Sequence, residues 1–458
     1  MVTLETIVAL CKRCGFVYPS SEIYGGLNGV YDFGPLGTLM KEHIRRFWKI
    51  TLIQTHKSIV FFEGSLLAPP AVWEASGHLK NFHDPMVDCL NCKKRFRADE
   101  LDLTKPCPSC GKMEWTQARQ FNLMFKTNIG AMEDATAVAY LRPETAQSIF
   151  INFKNILSSY RVKVPFGIAQ IGKSFRNEIT PKQFIFRTRE FEQMELEWFC
   201  KPEQSATDFD FWLNQRKEFY NKIGLSSKQA PPEQAPPEQV SPEQVSPEQA
   251  SPERLRFRTH DKDELAHYSS SCIDIEFNFP FGWKELEGIA NRGCYDLSQH
   301  IKFSKKELGV YDDETKQTYV PHVVECSVGS DRLMLALLCN AYHEENIEGD
   351  KRVVLKLHPA ISPISAAFLP LSKKLSEPFL PIYKKLREKG ISVQFDETGS
   401  IGKRYRRQDE IGTPLCFTYD FDSAENNTVT VRHRDSMEQK RILIDDIATI
   451  IEDTVAIK

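Results

Sequence analysis

The fold of this chain is decided by the stretch Phe175-Arg176-Asn177-Glu178, followed at 186–195 by Phe-Arg-Thr-Arg-Glu-Phe-Glu-Gln-Met-Glu. Both segments predict strands, and the residues between them predict a connecting loop. Arginine offers planar, permanently charged donors that suit phosphate groups, whereas glutamate accepts hydrogen bonds from an ammonium group. A site that holds a nucleotide triphosphate beside an amino acid needs both, so this hairpin is the first candidate site.

The alternative interpretation of the hairpin is a pair of exposed strands whose charges neutralise one another. It is weaker here because the arginines of the stretch cluster with three aromatic residues, Phe175, Phe186 and Phe191. Aromatic rings beside arginines can form a slot for a purine base. The stretch therefore favours a nucleotide site over a simple charged surface.

Length and composition place the chain among ordinary globular proteins. Its 458 residues predict roughly two to four domains, and 41% hydrophobic with 26% charged residues is typical of that class. No apolar run reaches the ~18 residues that suggest a membrane span. The N-terminus has no basic segment followed by an apolar core, so we expect a cytoplasmic protein with reduced thiols and no membrane partner.

The net charge of −3 carries no global signature of nucleic-acid binding. Charge is nevertheless uneven, because residues 351–458 contain 18 Lys+Arg against 15 Asp+Glu. Within that part lies the basic run Lys403-Arg404-Tyr405-Arg406-Arg407, a candidate contact for nucleic-acid phosphates. A solvated helix face explains the same run equally well.

Apolar and polar residues alternate at 193–198 and at 272–279, which predicts two strands. In the first, Gln193, Glu195 and Glu197 would share one face, with the apolar residues on the other. One polar and one apolar face are typical of an antiparallel sheet with a solvated side. Residues 36–54 predict a long helix, with Pro35 near its start. We therefore expect an α+β domain whose sheet presents a polar face as a site.

Two further regions interrupt or follow this domain. Residues 231–253 repeat the pattern PPEQA-PPEQV-SPEQV-SPEQA-SPE, whose regular prolines forbid a helix or a central strand and predict an extended insertion at 228–254. After residue 350, an amphipathic helix at Leu375–Lys389, strands near Leu415–Phe421 and Thr428–Val431, and a last helix near Ile442–Asp453 alternate. This order predicts a compact C-terminal α/β domain.

A second element pairs a polar strand end with an apolar helix. Val323-Val324-Glu325-Cys326-Ser327-Val328-Gly329-Ser330-Asp331-Arg332 is followed by an almost wholly apolar run to 338. An arginine at the N-terminus of a buried helix is well placed to meet phosphate, since the helix dipole and free N–H groups favour anions. Asp331 taken alone is an ordinary acid of a first helical turn.

Together these stretches resemble motifs two and three of the class II aminoacyl-tRNA synthetases. Further stretches resemble the homodimeric glycyl-tRNA synthetases in particular, namely Gly34–Gly37, Leu141-Arg142-Pro143-Glu144-Thr145-Ala146-Gln147, His267-Tyr268-Ser269, 282–290, 396–405 and 407–414. The resemblance covers nearly the whole chain. It implies a catalytic domain at 1–84 and 116–345 built on an antiparallel sheet, a C-terminal anticodon-binding α/β domain at 350–458, and a homodimer.

The resemblance also implies an ATP site and a glycine site. The ATP-binding residues would be Arg176, Asn177, Glu178, Phe186, Arg187, Thr188, Arg189, Glu190, Phe191, Glu285, Leu286, Gly329, Ser330, Asp331 and Arg332. The glycine-binding residues would be Arg97, Glu144, Phe191, Glu192, Gln193, Met194, Glu195, Glu325, Cys326, Ser327, Val328 and Gly329.

Among these residues, the resemblance assigns catalytic roles to Arg176, Glu178 and Arg332. Arg176 would contact the α-phosphate, Arg332 the γ-phosphate, Phe191 the adenine ring, and Glu285 a magnesium ion. The substrate ammonium would be held by carboxylate and hydroxyl oxygens of Glu195, Glu325 and Ser327. The implied activity is glycine–tRNA ligation: ATP and glycine form glycyl-adenylate and pyrophosphate, and glycine then passes to the 3′ end of tRNA(Gly).

The cysteines give a separate signal. Cys89-x2-Cys92 and Cys107-x2-Cys110 are separated by 14 residues, a spacing that predicts a tetrahedral structural zinc site in an insertion at 85–115. Four protein ligands leave no open position for catalysis. Cys11 and Cys14 have no second pair and predict ordinary thiols.

Two departures from the family pattern qualify the resemblance. Cys326 stands where the family has proline, and the pentapeptide array at 231–253 is not a family feature. The competing hypothesis is a synthetase-like binding protein without catalysis. Such a protein should lose the phosphate arginines or the amino-acid carboxylates, yet Arg176, Arg332, Glu195 and Glu325 are all present. A zinc-containing nucleic-acid binder leaves residues 141–332 unexplained.

Overall fold

A computed structural model of the chain describes residues 2–130, 137–225, 254–261, 264–265, 269–347 and 349–457. The pentapeptide array and the His267–Tyr268 pair fall outside the described residues. Of the predicted insertion at 228–254, only Arg254 is described.

The helices of the described residues, α1 to α12, are Leu4–Cys14, Pro35–Thr55, Pro70–Ala75, His78–Asn81, Ala146–Ser159, Ser205–Lys222, Tyr295–Ser304, Ser330–Ala341, Ser376–Glu388, Ile401–Ile411, Phe421–Asn426 and Ile447–Thr454. None of the described helices is both long and apolar enough to cross a membrane.

The strands fall into two groups along the chain. Strands β1 to β12 are Val17–Pro19, Tyr31–Phe33, Ile59–Phe61, Leu67–Ala68, His83–Asp88, Arg95–Arg97, Arg119–Asn122, Lys126–Asn128, Val138–Leu141, Phe166–Phe175, Glu190–Cys200 and Leu255–Thr259. Strands β13 to β24 are Ser271–Phe279, Gly282–Gly293, Val310–Asp312, Gln317–Tyr319, His322–Gly329, Tyr342–Ile347, Asp350–Leu355, Ala366–Phe368, Val393–Phe395, Leu415–Thr418, Thr428–His433 and Gln439–Leu443.

The catalytic region is built on a seven-stranded sheet in the order β12-β13-β14-β17-β11-β10-β3. All pairs are antiparallel except the edge pair β10–β3. The predicted hairpin is confirmed, since β10 and β11 pair from Phe166 opposite Phe199 to Phe175 opposite Glu190. Strand β17, which carries the second element, lies directly beside β11. The two predicted halves of the site therefore meet in the middle of one sheet.

The long helix α2 runs from Pro35 to Thr55. Proline suits the first turn of a helix, because the N–H that it lacks would have no partner within the helix there. Its buried stripe includes Met40, Ile44, Phe47 and Trp48, the spacing of an amphipathic helix. This stripe joins the apolar face of β11, including Met194 and Leu196, in the largest hydrophobic core. The predicted helix and the predicted apolar strand face are both confirmed.

The expectation of a solvated polar face is wrong. Glu195 and Glu197 are buried, because helices α5 and α7 cover that face with a second core. Phe150 and Phe153 from α5 and Leu297 from α7 pack there against Phe199 of β11. The acidic side chains consequently lie in a low-dielectric interior, where charges interact more strongly than at a surface.

The cysteine-rich segment forms a small sheet in the order β6-β5-β7. It runs from His83 to Asn122 and is thus somewhat longer than the predicted 85–115. Cys89 follows β5 directly, and an isolated bridge joins it to Trp115.

The C-terminal region has its own five-stranded sheet in the order β21-β20-β22-β23-β24. Strands β21, β20 and β22 are parallel, whereas β23 and β24 are antiparallel. A separate core includes Phe368, Phe379, Phe417 and Ile451, which confirms the predicted α/β unit. The predicted last helix is partly wrong: residues 439–443 form β24, and α12 begins only at Ile447.

The basic run in α10 is only partly available to a partner. Arg404 is 2% exposed and donates to the Pro370 carbonyl oxygen at 2.6 Å. Arg407 pairs with Asp396 at 2.5 Å. Arg404 is therefore committed to contacts within the domain, whereas Lys403 and Arg407 are exposed and Arg406 is half-buried.

Candidate active site

A cleft with two adjoining cavities opens over the ends of β10, β11, β14 and β17. The first has a volume of about 120 Å³ and the second about 270 Å³. Both are lined by Arg176, Gln193, Glu285 and Ser327. The cavities are therefore neighbouring parts of one site with Arg176 between them.

The first cavity is walled by aromatic rings and arginines. The Arg176 guanidinium lies 5.3 Å from the centre of the Phe191 ring and donates to the Pro143 carbonyl oxygen at 3.1 Å. The Arg332 guanidinium lies 4.5 Å above the Phe186 ring and 3.5 Å from the Glu285 carboxylate. Two arginines flank this cavity, as an anionic ligand with a flat ring requires.

Charged pairs hold the loop between β10 and β11. Arg187 donates to Glu178 at 2.7 Å, and its guanidinium lies 3.8 Å from Asp84 of β5. Burial raises the pKa of Asp84, an effect that the charges of Arg97 and Arg187 oppose. Arg97 reaches the same Asp84 at 3.0 Å. Arg97 therefore supports the loop from outside and does not line either cavity.

Several other predicted ATP residues, including Ser330, are not among those that line the first cavity. Arg189 donates to the carbonyl oxygens of Glu178 and Asn28, and Glu190 pairs with Lys173 at 2.9 Å. Asn177 uses its backbone N–H on Leu123 at 2.7 Å. In contrast, Glu178, Phe186, Arg187, Thr188, Phe191, Glu285, Leu286, Gly329, Asp331 and Arg332 line the first cavity.

The second cavity shows how a strand divides its residues between two faces. Glu195 lies opposite Ser327, and both line this cavity together with Glu144, Gln193 and Glu325. The intervening Met194, Cys326 and Val328 point into the core on the other face of the sheet. Only the backbone of these three residues remains available to a ligand in the cleft.

Glu192 belongs mainly to a buried ion network on that opposite face. Arg45 of α2 donates to it at 2.9 and 2.5 Å, and the Ser330 hydroxyl donates at 2.7 Å. Lys41 of α2 bonds to Asp331 at 2.5 Å, and Asp331 also accepts from the Glu192 backbone N–H. This network fixes the start of α8, and with it Arg332, against α2 and β11.

The second cavity is strongly acidic. Glu195, Glu197 and Glu325 each offer an oxygen within 4.8 Å of the others. Burial, followed by the nearby Glu325 and Glu144, raises the pKa of Glu195 to about 8. Burial also raises the pKa of Glu325, although Arg292 opposes this effect. Carboxyl groups this close together can bind a cation.

Glu144 closes the cavity from the side. Burial would raise the pKa of this carboxyl, but His78, Arg292 and a hydrogen bond from Gln147 lower it below its ordinary range. The His78 ring lies 3.3 Å from Glu144. Glu144 is thus a fixed carboxylate at the edge of the acidic group.

Sequence reasoning missed the residues that hold these carboxylates. Arg292 donates to Glu325 at 2.5 Å and to Asp296 at 2.8 Å, and Thr145 donates to Glu195. Gln147 donates to Asp296 at 2.9 Å. Thr145 and Gln147 belong to the 141–147 stretch quoted above, and Arg292 lies two residues beyond the 282–290 stretch. Their position within or beside these motifs is the signal that could have identified them.

The four zinc-type cysteines converge in the small sheet. The Cys89 and Cys110 sulfurs are 3.6 Å apart, and those of Cys92 and Cys107 are 3.8 Å apart. All four sulfurs lie within 4.8 Å of one another. Four thiols at these separations fit the corners of one tetrahedral metal site. Cys11 is buried in the main core and Cys14 is half-buried, as expected for ordinary thiols.

Comparison with known proteins identifies both regions. The model of the "tRNA synthetase class II core domain (G, H, P, S and T)" matches residues 125–341, and that of the "Anticodon binding domain" matches residues 365–454. The glycine–tRNA ligase of Caldanaerobacter subterraneus is 50% identical in an alignment that covers 99% of this chain and 98% of that protein. That of Borreliella burgdorferi is 49% identical, covering 99% and 97%.

A solved structure has the same fold at low sequence identity. A crystal structure of prolyl-tRNA synthetase from Cryptosporidium parvum, complexed with L-proline and AMP, superposes with a TM-score of 0.63. It is 14% identical and covers 99% of this chain and 76% of that one. At this identity the match supports the architecture and says nothing of the substrate.

Proposed function

The chain belongs to the glycine–tRNA ligase family of class II synthetases, and we propose that its two-cavity cleft is where ATP and glycine react. The predicted family, fold class and enzyme class are confirmed. The protein is an ATP-dependent ligase that aminoacylates tRNA(Gly). The roles of individual residues are the proposal, and its main support is the meeting of phosphate-type arginines and buried carboxylates around Arg176.

ATP is assigned to the first cavity. Phe191 offers its ring to the adenine, Arg176 meets the α-phosphate, and Arg332 at the start of α8 meets the γ-phosphate. Glu178 holds Arg187 in the loop over the nucleotide. The Glu285 carboxylate is half exposed at the cavity and fits a magnesium ion, which would help neutralise the phosphates when bound.

Glycine is assigned to the second cavity. Glu195, Glu325 and the Ser327 hydroxyl converge where their oxygens can accept hydrogen bonds from an ammonium group. One methyl group changes binding by only ~1–3 kcal/mol in an apolar pocket. Rejection of alanine therefore depends on crowding by the buried walls around these oxygens. Glycine is the smallest amino acid, so no smaller competitor needs to be removed by editing.

The proposed chemistry needs no protein nucleophile. The glycine carboxylate attacks the α-phosphorus in line with the departing pyrophosphate. The terminal ribose hydroxyl of tRNA then attacks the carbonyl carbon of the glycyl-adenylate, which forms the glycyl ester and releases AMP. The protein orients both reactants and stabilises the developing charge with Arg176 and Arg332. Arg176 is suited to this task because it borders both cavities.

Exchange of pyrophosphate into ATP by the purified protein tests this proposal. Exchange should depend on glycine and occur without tRNA. A panel of amino acids that supported exchange with another member but not with glycine would overturn the substrate assignment. A protein that binds tRNA but shows no exchange with any amino acid would instead support the non-catalytic alternative.

The acidity of the second cavity predicts a pH dependence of glycine binding. Because the pKa of Glu195 is raised to about 8, this carboxyl is increasingly protonated at lower pH, whereas its ionised form binds the ammonium. The glycine KM should therefore rise by up to about tenfold for each pH unit below 8. The glycine KM is obtained from exchange rates measured at saturating ATP between pH 6.5 and 8.5. A glycine KM that stays constant over this range would contradict the prediction.

The four-cysteine cluster is proposed to hold one structural zinc ion in the insertion at 85–115. The sulfur separations support it, because four thiolates within 4.8 Å of one another would repel without a cation. The metal would fix the small sheet that carries Asp84 and Arg97 toward the loop of the active site.

Metal analysis tests the zinc proposal. We expect about one zinc ion per chain in wild-type protein and less than about 0.1 after Cys107→Ser, since a structural site needs all four ligands. Cys14→Ser is the matched control and should retain the metal, because Cys14 lies outside the cluster. Wild-type protein without zinc after expression in zinc-containing medium would refute the assignment.

We propose a homodimer, as the family resemblance implies. An exposed apolar group supports it: Ile23 and Tyr24 are both 88% exposed. They lie in the turn between β1 and β2, near a groove of about 430 Å³ lined by Val8, Tyr31 and Phe184. Apolar surface of this kind is typical of a protein interface.

Light scattering tests the dimer. Wild-type protein should have about twice the chain mass of 52.6 kDa. The double variant Ile23→Asp/Tyr24→Asp should shift toward the single-chain mass. Tyr160→Asp, at another exposed aromatic residue, should not. A double variant that remained dimeric would place the interface elsewhere.

The remaining proposals concern the organisation of the chain. We assign residues 1–84 and 116–345 to the catalytic domain and 350–458 to the anticodon-binding domain, where the separate core supports the boundary. The C-terminal domain would contact the anticodon arm of tRNA(Gly). Translation and twelve cysteines without a disulfide agree with the cytoplasm as the site of action.

A further inference from the structure

Glu197 is a buried neighbour of the residues assigned to glycine and is not itself among the residues that line the second cavity. It is 0% exposed and stands directly opposite Glu325 in the β11–β17 register. Neither oxygen of its carboxyl has a hydrogen-bond donor among the residues that the structure describes. A buried polar group without a partner is uncommon in folded proteins and calls for a physical explanation.

The groups that face Glu197 make a second full negative charge costly. The described acids near Glu197 are Glu195 on β11, Glu325 on β17 and Asp296 on α7, and Glu144 before α5 lies near Glu325. The cations are Arg292, which Asp296 and Glu325 already share, Arg142 near Glu195, and His78 when protonated. His300 of α7 is neutral in this setting, since burial lowers its pKa.

A proton resolves this conflict. Like charges directly opposite each other in a sheet are destabilising, and an unpaired buried carboxylate is far more costly than a neutral acid. A protonated Glu197 has an O–H that can donate to Glu325, since one oxygen of each carboxyl lies within 4.8 Å of the other. One proton on Glu197 then explains why its carboxyl needs no donor from another residue and how it can lie opposite the Glu325 carboxylate.

We propose that Glu197 is a positioning residue of the glycine site, a neutral acid that donates a hydrogen bond to Glu325 and so holds that carboxylate toward the substrate ammonium. The inference rests on the proposed assignment of glycine to the second cavity. Arg292 then anchors Glu325 from one side and Glu197 from the other. In support, burial and the neighbouring Glu325 raise the pKa of Glu197 well above its ordinary value.

Two substitutions separate a neutral donor from a charged group. Glu197→Gln retains a donor without charge, whereas Glu197→Met keeps the size but removes the donor. In glycine-dependent exchange, the Gln variant should recover most of the glycine affinity, with a KM within about threefold of wild type. The Met variant should raise the glycine KM by about 10- to 30-fold while the ATP KM stays within about twofold.

Each alternative gives another pattern. If Glu197 were a charged partner of the ammonium, the Gln variant would raise the glycine KM as much as the Met variant does. If Glu197 were only structural, glycine and ATP requirements would change together. Absence of glycine-dependent exchange in the wild-type protein would refute the proposed function itself, which is a different result from either of these.

Stability gives a readout that remains if the Met variant does not fold. Glu287, also buried, is a paired carboxylate that accepts from Arg216 at 2.6 and 3.0 Å. Glu287→Gln should lower the melting temperature by several degrees, because it leaves the Arg216 charge unpaired. Glu197→Gln should leave the melting temperature unchanged or raise it. A decrease as large as that of the Glu287 variant would show that Glu197 is ionised and would overturn the inference.

Discussion

Replacing Glu325 with alanine is expected to raise the glycine KM by roughly 100-fold, while the ATP KM changes by less than about threefold. Glu325 faces the second cavity beside Ser327. Its removal takes away one of the carboxylates that meet the ammonium, and it removes an acid that partly neutralises Arg292. Because Arg292 also lines the second cavity, its positive charge would then repel the substrate ammonium more strongly. Loss of attraction and gained repulsion act in the same direction.

Steady-state exchange, with glycine and ATP varied separately, measures this split. Glu344→Ala is the matched control, since Glu344 lies in β18 and, within the described part of the chain, pairs with the nearby Lys351 and Tyr342. It should leave both constants close to wild type. If Glu325→Ala changed the glycine and ATP constants equally, the ammonium role of Glu325 would fail, and a general loss of structure would be the better explanation.

Local patterns in the sequence predicted the centre of the site well. The alternation of residues 193–198 depends only on neighbours two positions apart, and it predicted β11 with its apolar face on the core. The prediction that every residue of 191–195 and 325–329 lines the glycine site ignored that same alternation. Applied to both stretches, it would have placed Met194, Cys326 and Val328 on the far face. It also explains why cysteine is accepted at 326, where the side chain packs in the core.

The packing of distant elements against one another could not be predicted from these local patterns. The polar face of β11 is covered by α5 and α7, and only their docking shows that Glu195 and Glu197 are buried. The pairing of Arg97 with Asp84, and of Asp84 with Arg187, joins the cysteine-rich sheet to the active-site loop. No spacing rule within one segment predicts such contacts, because they depend on how separate elements meet.

Arg176 is the residue whose loss should affect the reaction most. Arg176→Ala should lower kcat for exchange by about 1,000-fold, because it removes a fixed positive charge from the phosphate that is attacked. Arg176→Lys should recover only a small part of this, since an ammonium cannot reproduce the planar set of donors. Arg387→Ala, at a surface arginine of α9 that contacts Tyr383, is the control and should retain full exchange.

The position of Arg176 separates this expectation from a simple binding defect. Contacts within the protein orient its guanidinium, which lies 5.2 Å from the centre of the Phe82 ring and 5.3 Å from that of Phe191, and donates to the Pro143 carbonyl oxygen. A group that is already oriented needs little rearrangement when charge develops on the phosphate, so its contribution should appear in kcat more than in KM. Rapid-quench measurement of adenylate formation would show this directly. A variant with normal adenylate formation at saturating substrates would instead assign Arg176 to binding alone.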